Sequence, residues 1–178
     1  LNTFDLFIQE GAELSVTSAE GFAGSITADA SRIVLNDGRI TAETRQDIEG
    51  VTGATINLNI ASEDERRPSF LRLENESLIS ASAFGEASGG NLNFNVDFII
   101  AEFPTGPEGS DIRANAEQGD GGVVNIQALG LFEIAFRLEP TPFNDITATS
   151  ASGSAGIVSL STPGIDPTRG FAALPVNF

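Results

Sequence analysis

The feature that most constrains this chain is a degenerate internal repeat that returns every thirty-odd residues. A glycine closes a polar turn at Gly24, Gly53, Gly90, Gly122 and Gly156, at intervals of 29, 37, 32 and 34 residues. A short segment with two-residue periodicity follows each of them: Ser25–Asp29, Thr55–Ile60, Asn91–Val96, Val123–Gln127 and Ile157–Ser161. Strict alternation of apolar and polar residues is the pattern of a half-buried strand. Aligned on the glycines, the copies form columns. Ile26, Ile56, Leu92, Val124 and Val158 make one apolar column, and Ala28, Leu58, Phe94, Ile126 and Leu160 make the next. Between them runs a polar column of Thr27, Asn57, Asn93, Asn125 and Ser159. The second copy has one extra residue after Gly53, which leaves its register open.

A second strand precedes each glycine turn, led by Leu14, Ile40, Ile79, Ile112 and Ile146. The next inward position is Val16, Ala42, Ala81, Ala114 or Ala148, and the four alanines are small enough for a corner. A third apolar segment separates the two: Phe4–Ile8, Ile33–Leu35, Phe70–Leu73, Phe98–Phe103 and Leu131–Phe136. Three strands in a period near 33 residues predict an all-β fold, a parallel β-helix of about five coils with three strands per coil. A lone coil cannot bury its inner face, whereas stacked coils pair each strand with its equivalents at ~4.8 Å and set like on like. Inward Ile, Leu, Val and Phe are then expected to form one core, with the outward Asn and Ser/Thr columns hydrogen-bonding along the axis. A β-sandwich with turns at similar spacing does not require equivalent strands to agree column by column. The repeats span residues 1–161. Residues 162–178, with Pro163, Pro167 and Pro175, are expected to be a cap or linker tail, because proline cannot serve a central strand.

Composition narrows the chemistry. The chain lacks Cys, His, Met, Trp, Tyr and Lys. Without His or Cys, neither a nucleophile–histidine unit nor a common zinc site can be assembled. Without Lys there is no Schiff base and no ordinary P-loop. The net charge is −16, with all nine cations Arg, which opposes nucleic acid and anionic membranes. No apolar run reaches the ~20 residues of a membrane-spanning helix, so membrane insertion is not expected. The first residues lack an initiator Met and a basic leader, and the chain reads as a piece of something larger.

Polysaccharide-cleaving enzymes need paired carboxylates on one face. The outward positions here are Thr27, Asp29, Asn57, Asn59, Asn93, Asn95, Asn125 and Gln127, amides with one carboxylate. Asp111 and Asp145 recur in phase, but the earlier copies carry Glu13, Arg39 and Leu78, which suits a turn-capping acid. No catalytic, cofactor-binding or metal-ligating residue is assigned, and no enzymatic activity is expected. Gly119-Asp120-Gly121-Gly122 faintly matches a calcium nonapeptide but occurs once, which leaves room for weakly bound Ca2+ and for no other cofactor. Thr147-Ala148-Thr149 is a single Thr-x-Thr, too little for an ice-binding ladder. The variable stretches 63–68, 104–109 and 139–142 are expected at corners, either as contact surfaces or as solvated loops.

Three segments carry a family resemblance: Gln9–Ser18 with Gly24 closing; Ser110–Ala116 with Gly119–Gly122; and Asn144–Ser150, followed by Ser161–Gly170 with Leu174-Pro175. Together they resemble the C-terminal repeat region of cyanobacterial large exoproteins of the filamentous-haemagglutinin type. The resemblance implies two-partner secretion, a right-handed parallel β-helix, and an adhesive or filament-forming role at the outer cell surface. The partners it implies are neighbouring modules or copies of the chain along the axis, and surface glycans or other cell-surface components.

Overall fold

The computed structural model describes residues 1–18, 24–46, 51–62, 64 and 66–163. Fifteen strands follow one another with no helix among the described residues. They are β1 (Asp5–Gln9), β2 (Glu13–Ser18), β3 (Ser25–Ala30), β4 (Arg32–Asn36), β5 (Arg39–Gln46), β6 (Thr55–Ile60), β7 (Phe70–Glu74), β8 (Leu78–Ser80), β9 (Ala83–Gly85), β10 (Asn91–Ala101), β11 (Asp111–Arg113), β12 (Val123–Phe132), β13 (Ala135–Phe136), β14 (Asp145–Thr147) and β15 (Ile157–Ser161). Every ladder among them is parallel. A sandwich built from hairpins is therefore excluded.

The pairing is between equivalents. In one ladder β3 pairs β6, β6 pairs β10, β10 pairs β12, and β12 pairs β15. Its register sets Ile26 on Ile56, Leu92, Val124 and Val158 in turn, and Ala28 on Leu58, Phe94, Ile126 and Leu160. In a second ladder β1, β4, β7 and the later halves of β10 and β12 stack. Because β10 and β12 run through both ladders, the two merge into one eight-stranded sheet. A seven-stranded sheet holds the third ladder, in the order β13-β14-β11-β8-β5-β2, with β9 beside β5. There Leu14, Ile40, Ile79, Ile112 and Ile146 lie in one register, and the four isoleucines are fully buried. Apolar residues from all three ladders join one buried cluster. Each buried Ile or Leu is worth roughly 1.5–3 kcal/mol, against about 1 kcal/mol net for a ladder hydrogen bond. The apolar columns thus decide which face turns inward, and the backbone bonds fix the rung.

The structure corrects the sequence reading at three points. The extra residue of the second copy is resolved by Ala54: Thr55 aligns with Ser25 and Asn91, and the Asn91 amide donates to the Ala54 carbonyl as that of Val123 donates to Gly90. Ala54, not Gly53, stands in the closing-glycine column. At Gly90 an added Cβ would lie 2.0 Å from the Ala54 carbonyl oxygen, so this close backbone approach demands glycine. Second, phenylalanine is not a general core residue. Phe94 is buried, whereas Phe4, Phe7, Phe103, Phe132, Phe136 and Phe143 are exposed. Phe70 and Phe98 share an outward register with Arg32, and the rings of Phe98 and Phe132 lie 5.9 Å apart. Third, the segment Leu131–Phe136 is divided. Leu131 and Phe132 continue the second ladder, but β13 crosses to the other sheet and pairs with β14 on the side away from β11. It thereby covers the edge that a further copy of the third ladder would use. The expectation of a cap or linker over 162–178 falls, from residue 164 onward, outside the described residues.

Candidate binding face

Two features of the surface are built rather than incidental. The first is the outer face of the β6–β10–β12–β15 ladder. In a strand the residues flanking each buried side chain point the opposite way. Asn57, Asn93 and Asn125 are thus placed in one outward column, and Asn59, Asn95 and Gln127 in the next. Parallel register brings like amides within reach. Asn93 Nδ2 donates to Asn57 Oδ1 at 2.9 Å, and Asn125 Nδ2 donates to Asn93 Oδ1 at 3.0 Å. In the neighbouring column Asn95 Nδ2 donates to Asn59 Oδ1 and Asn59 Nδ2 to Asp29 Oδ1, both at 3.2 Å. The two columns, continued by Ser159 and Ser161, line an open groove of about 440 Å3. The sequence-based expectation of axial hydrogen bonding among outward amides is met here.

The second feature is the corner leading into the third ladder. Asp111 and Asp145 are 1% and 0% exposed, so neither is offered to a large substrate. Asp111 Oδ1 accepts the Asp145 amide at 2.8 Å, while its other oxygen pairs with Arg113. Burial pushes the Asp111 carboxyl above the ordinary aspartate range; the Asp145 amide and then Arg113 pull it part of the way back. Asp145 accepts Arg137 Nη1 at 2.8 Å and Thr141 Oγ1 at 3.0 Å. Both acids therefore organise turns.

Beside them runs a column that the sequence reading missed. Ser77 Oγ accepts the Gly38 amide, Ser110 Oγ the Ser77 amide and Asn144 Oδ1 the Ser110 amide. Asn144 Nδ2 donates in addition to the carbonyls of Glu102 and Glu133 at 2.8 and 2.7 Å. The available signal was a small or polar residue two places before each lead isoleucine: Gly38, Ser77, Ser110 and Asn144.

Comparison with protein-family models, curated proteins and solved structures finds no match.

The other positions singled out in the sequence have definite places. Asp120 of Gly119-Asp120-Gly121-Gly122 accepts the Ser154 amide at 2.8 Å, joining one copy to the next. Among the described residues no group of three or more acids gathers as a cation cage. Thr147 is fully buried, so Thr147-Ala148-Thr149 presents no outward threonine ladder. Of the variable stretches, 104–109 lies between β10 and β11 and 139–142 between β13 and β14; in 63–68, residues 63 and 65 lie outside the described residues, and 66–68 precede β7. The stretch 104–109 packs near the start of β14, where a Cβ at Gly109 would meet the backbone of Phe143 and Asn144. Phe103, Pro104, Ile134, Arg137 and Phe143 line a cavity of about 300 Å3 there, with the Arg137 guanidinium 5.6 Å from the Phe143 ring centroid. Gly106 packs against Glu76, whose Oε1 accepts the Glu108 amide at 3.3 Å.

Proposed function

We propose that this chain is a section of right-handed parallel β-helix, five coils long with three strands per coil, and serves as a structural and adhesive module of a secreted cell-surface exoprotein of the filamentous-haemagglutinin type. The observation that carries the reading is the parallel self-stacking of equivalent strands over three ladders. Such a stack makes a stiff unit whose contacts are almost all between neighbouring coils. Five coils rise about 25 Å, a section of a stalk rather than a whole one. Corner loops and broad outer faces are the surfaces such a unit offers to partners. On this reading the chain is non-enzymatic and needs no cofactor. The buried, arginine-paired Asp111 and Asp145 support it, since a hydrolytic pair must reach its substrate. Axial partners are copies or neighbouring modules at the end where β1 and β2 leave ladder edges.

Antibodies raised against the purified chain test the reading on intact and permeabilised source cells. Labelling of intact cells, together with elongated particles in negative-stain electron microscopy of the parent protein, is the expected result. Labelling that requires permeabilisation would overturn the surface assignment.

A further inference from the structure

We infer that the amide-lined face of β6, β10, β12 and β15 binds a neutral, extended polysaccharide running along the stacking axis. The inference rests on the adhesive reading and gives it a ligand class and a surface.

The first ground is chemical. A carboxamide carries two N–H donors and a carbonyl oxygen with two lone pairs. Asn93 uses one N–H on Asn57 and one lone pair on the N–H of Asn125. Asn59 likewise donates to Asp29 and accepts from Asn95. Each therefore retains one donor and one acceptor for the open side. A sugar hydroxyl also donates and accepts, so a pyranose edge can satisfy both.

The second ground is spacing. Rungs repeat at ~4.8 Å along the axis, and the two columns stand about 7 Å apart along the strands. The rise per sugar of an extended β-linked glycan is of the same size as the rung spacing, so successive sugars meet equivalent amides. From Asn57 to Ser159 the column has four rungs, about 14 Å, room for three or four sugars. The ladder bonds also hold the side chains in place before the ligand arrives, which lowers the ordering cost of binding.

The third ground is charge. The chain carries −16 overall, yet the groove-lining residues are uncharged, and Asp29 stands just beyond them at the foot of one column. A neutral polyol enters without a charge penalty, while uronate or sulfated chains are repelled by the surrounding surface.

The test is a titration of the intact 178-residue chain, followed by backbone-amide NMR and calorimetry. The neutral probes are β-1,4-linked glucose oligomers of two to six units, and the anionic probe is a galacturonate hexamer. Saturable binding confined to resonances of β6, β10, β12 and β15 is expected, with affinity rising to three or four sugars and then levelling off. Gln127→Ala should weaken binding about threefold, and Asn95→Ala with Gln127→Ala about tenfold or more. Asn95→Ala removes a ladder bond, so melting temperatures are measured in parallel; Gln127→Ala alone decides the matter if the double variant is unfolded. Absence of saturation by about 10 mM neutral hexamer, equal or tighter binding of the galacturonate, an unchanged affinity in Gln127→Ala, or dimerisation through this face would each overturn the inference. Surface labelling of intact cells is independent of sugar binding, so the adhesive module can stand while this groove assignment falls.

Discussion

Asp111 sits in an environment that its residue type ordinarily avoids. A carboxylate at 1% exposure is costly unless hydrogen bonds and a cation offset the lost water. The Asp145 amide and Arg113 supply part of that offset, yet desolvation remains the largest influence and leaves the group harder to ionise when folded than when unfolded. The sign of the linkage follows. Where a folded carboxyl titrates above its unfolded value, the native state holds the extra proton, and stability falls as pH rises through that window. Asp111 thus makes the fold less stable above the window than below it. Asp111→Asn keeps an oxygen for the Asp145 amide and removes the charge. In urea unfolding followed from about pH 7 down to about pH 4, the wild type should gain on Asp111→Asn as the acid is approached. A constant difference across that range would show that the buried charge has no part in the balance.

Among the elements, β13 depends most on a few contacts. It has two residues and two rungs, too few to hold by themselves. Its stability comes from Asn144, whose side chain ties the carbonyls of Glu102 and Glu133 to the amide of Ser110, and from Asp145, which grips Arg137 and Thr141. Asn144→Ala breaks three bonds, the one to the Ser110 amide buried and the two to the Glu102 and Glu133 carbonyls part-buried, a loss of about 2–3 kcal/mol. Hydrogen exchange should show the Arg137 amide, bonded to the Ile146 carbonyl, losing protection while amides of β6 and β10 keep theirs. Loss of protection throughout would mean that β13 and the main ladders open as one unit. This element also marks where the sequence stopped being legible. The columns led by Ile26 and Leu14 could be read because each is repeated five times and every copy votes on the register. β13 occurs once, so no column announces it, and in the sequence its residues run on from the preceding apolar segment. The tight corners after β1, β4 and β7 were equally hidden. Glu10, Asp37 and Asn75 adopt left-handed backbone there, and three different residue types leave no common letter to detect. The outward phenylalanines misled for a related reason: an aromatic residue in a strand counts toward either face until its register is known. The amide columns were visible as composition, but the open groove they line needs the stacked register to exist.

At the scale of the molecule, charge opposes compaction. Twenty-five acids face nine arginines. Asp5–Arg32, Glu43–Arg45, Glu74–Arg72 and Asp145–Arg137 are among the ion pairs formed, but among the described residues more acids lack an arginine within ion-pair distance than have one. Long-range repulsion between exposed charges is screened within about 10 Å at 0.1 M salt. Raising sodium chloride from about 20 mM to about 500 mM should therefore raise the melting temperature, because the exposed ion pairs that salt weakens contribute little each. A fall in melting temperature would assign the pairs a larger role than the repulsion. The stacking has a mechanical corollary as well. Because the backbone bonds between rungs point along the pile and the chain runs across it, a pull on the two termini loads one rung at a time, as when tape is peeled. Wound as the β-helix proposed above, such a body resists bending and crushing far better than it resists being unwound from an end, and the two residues of β13, fastened over the last rung of one sheet, are where unwinding from that side would first meet a catch.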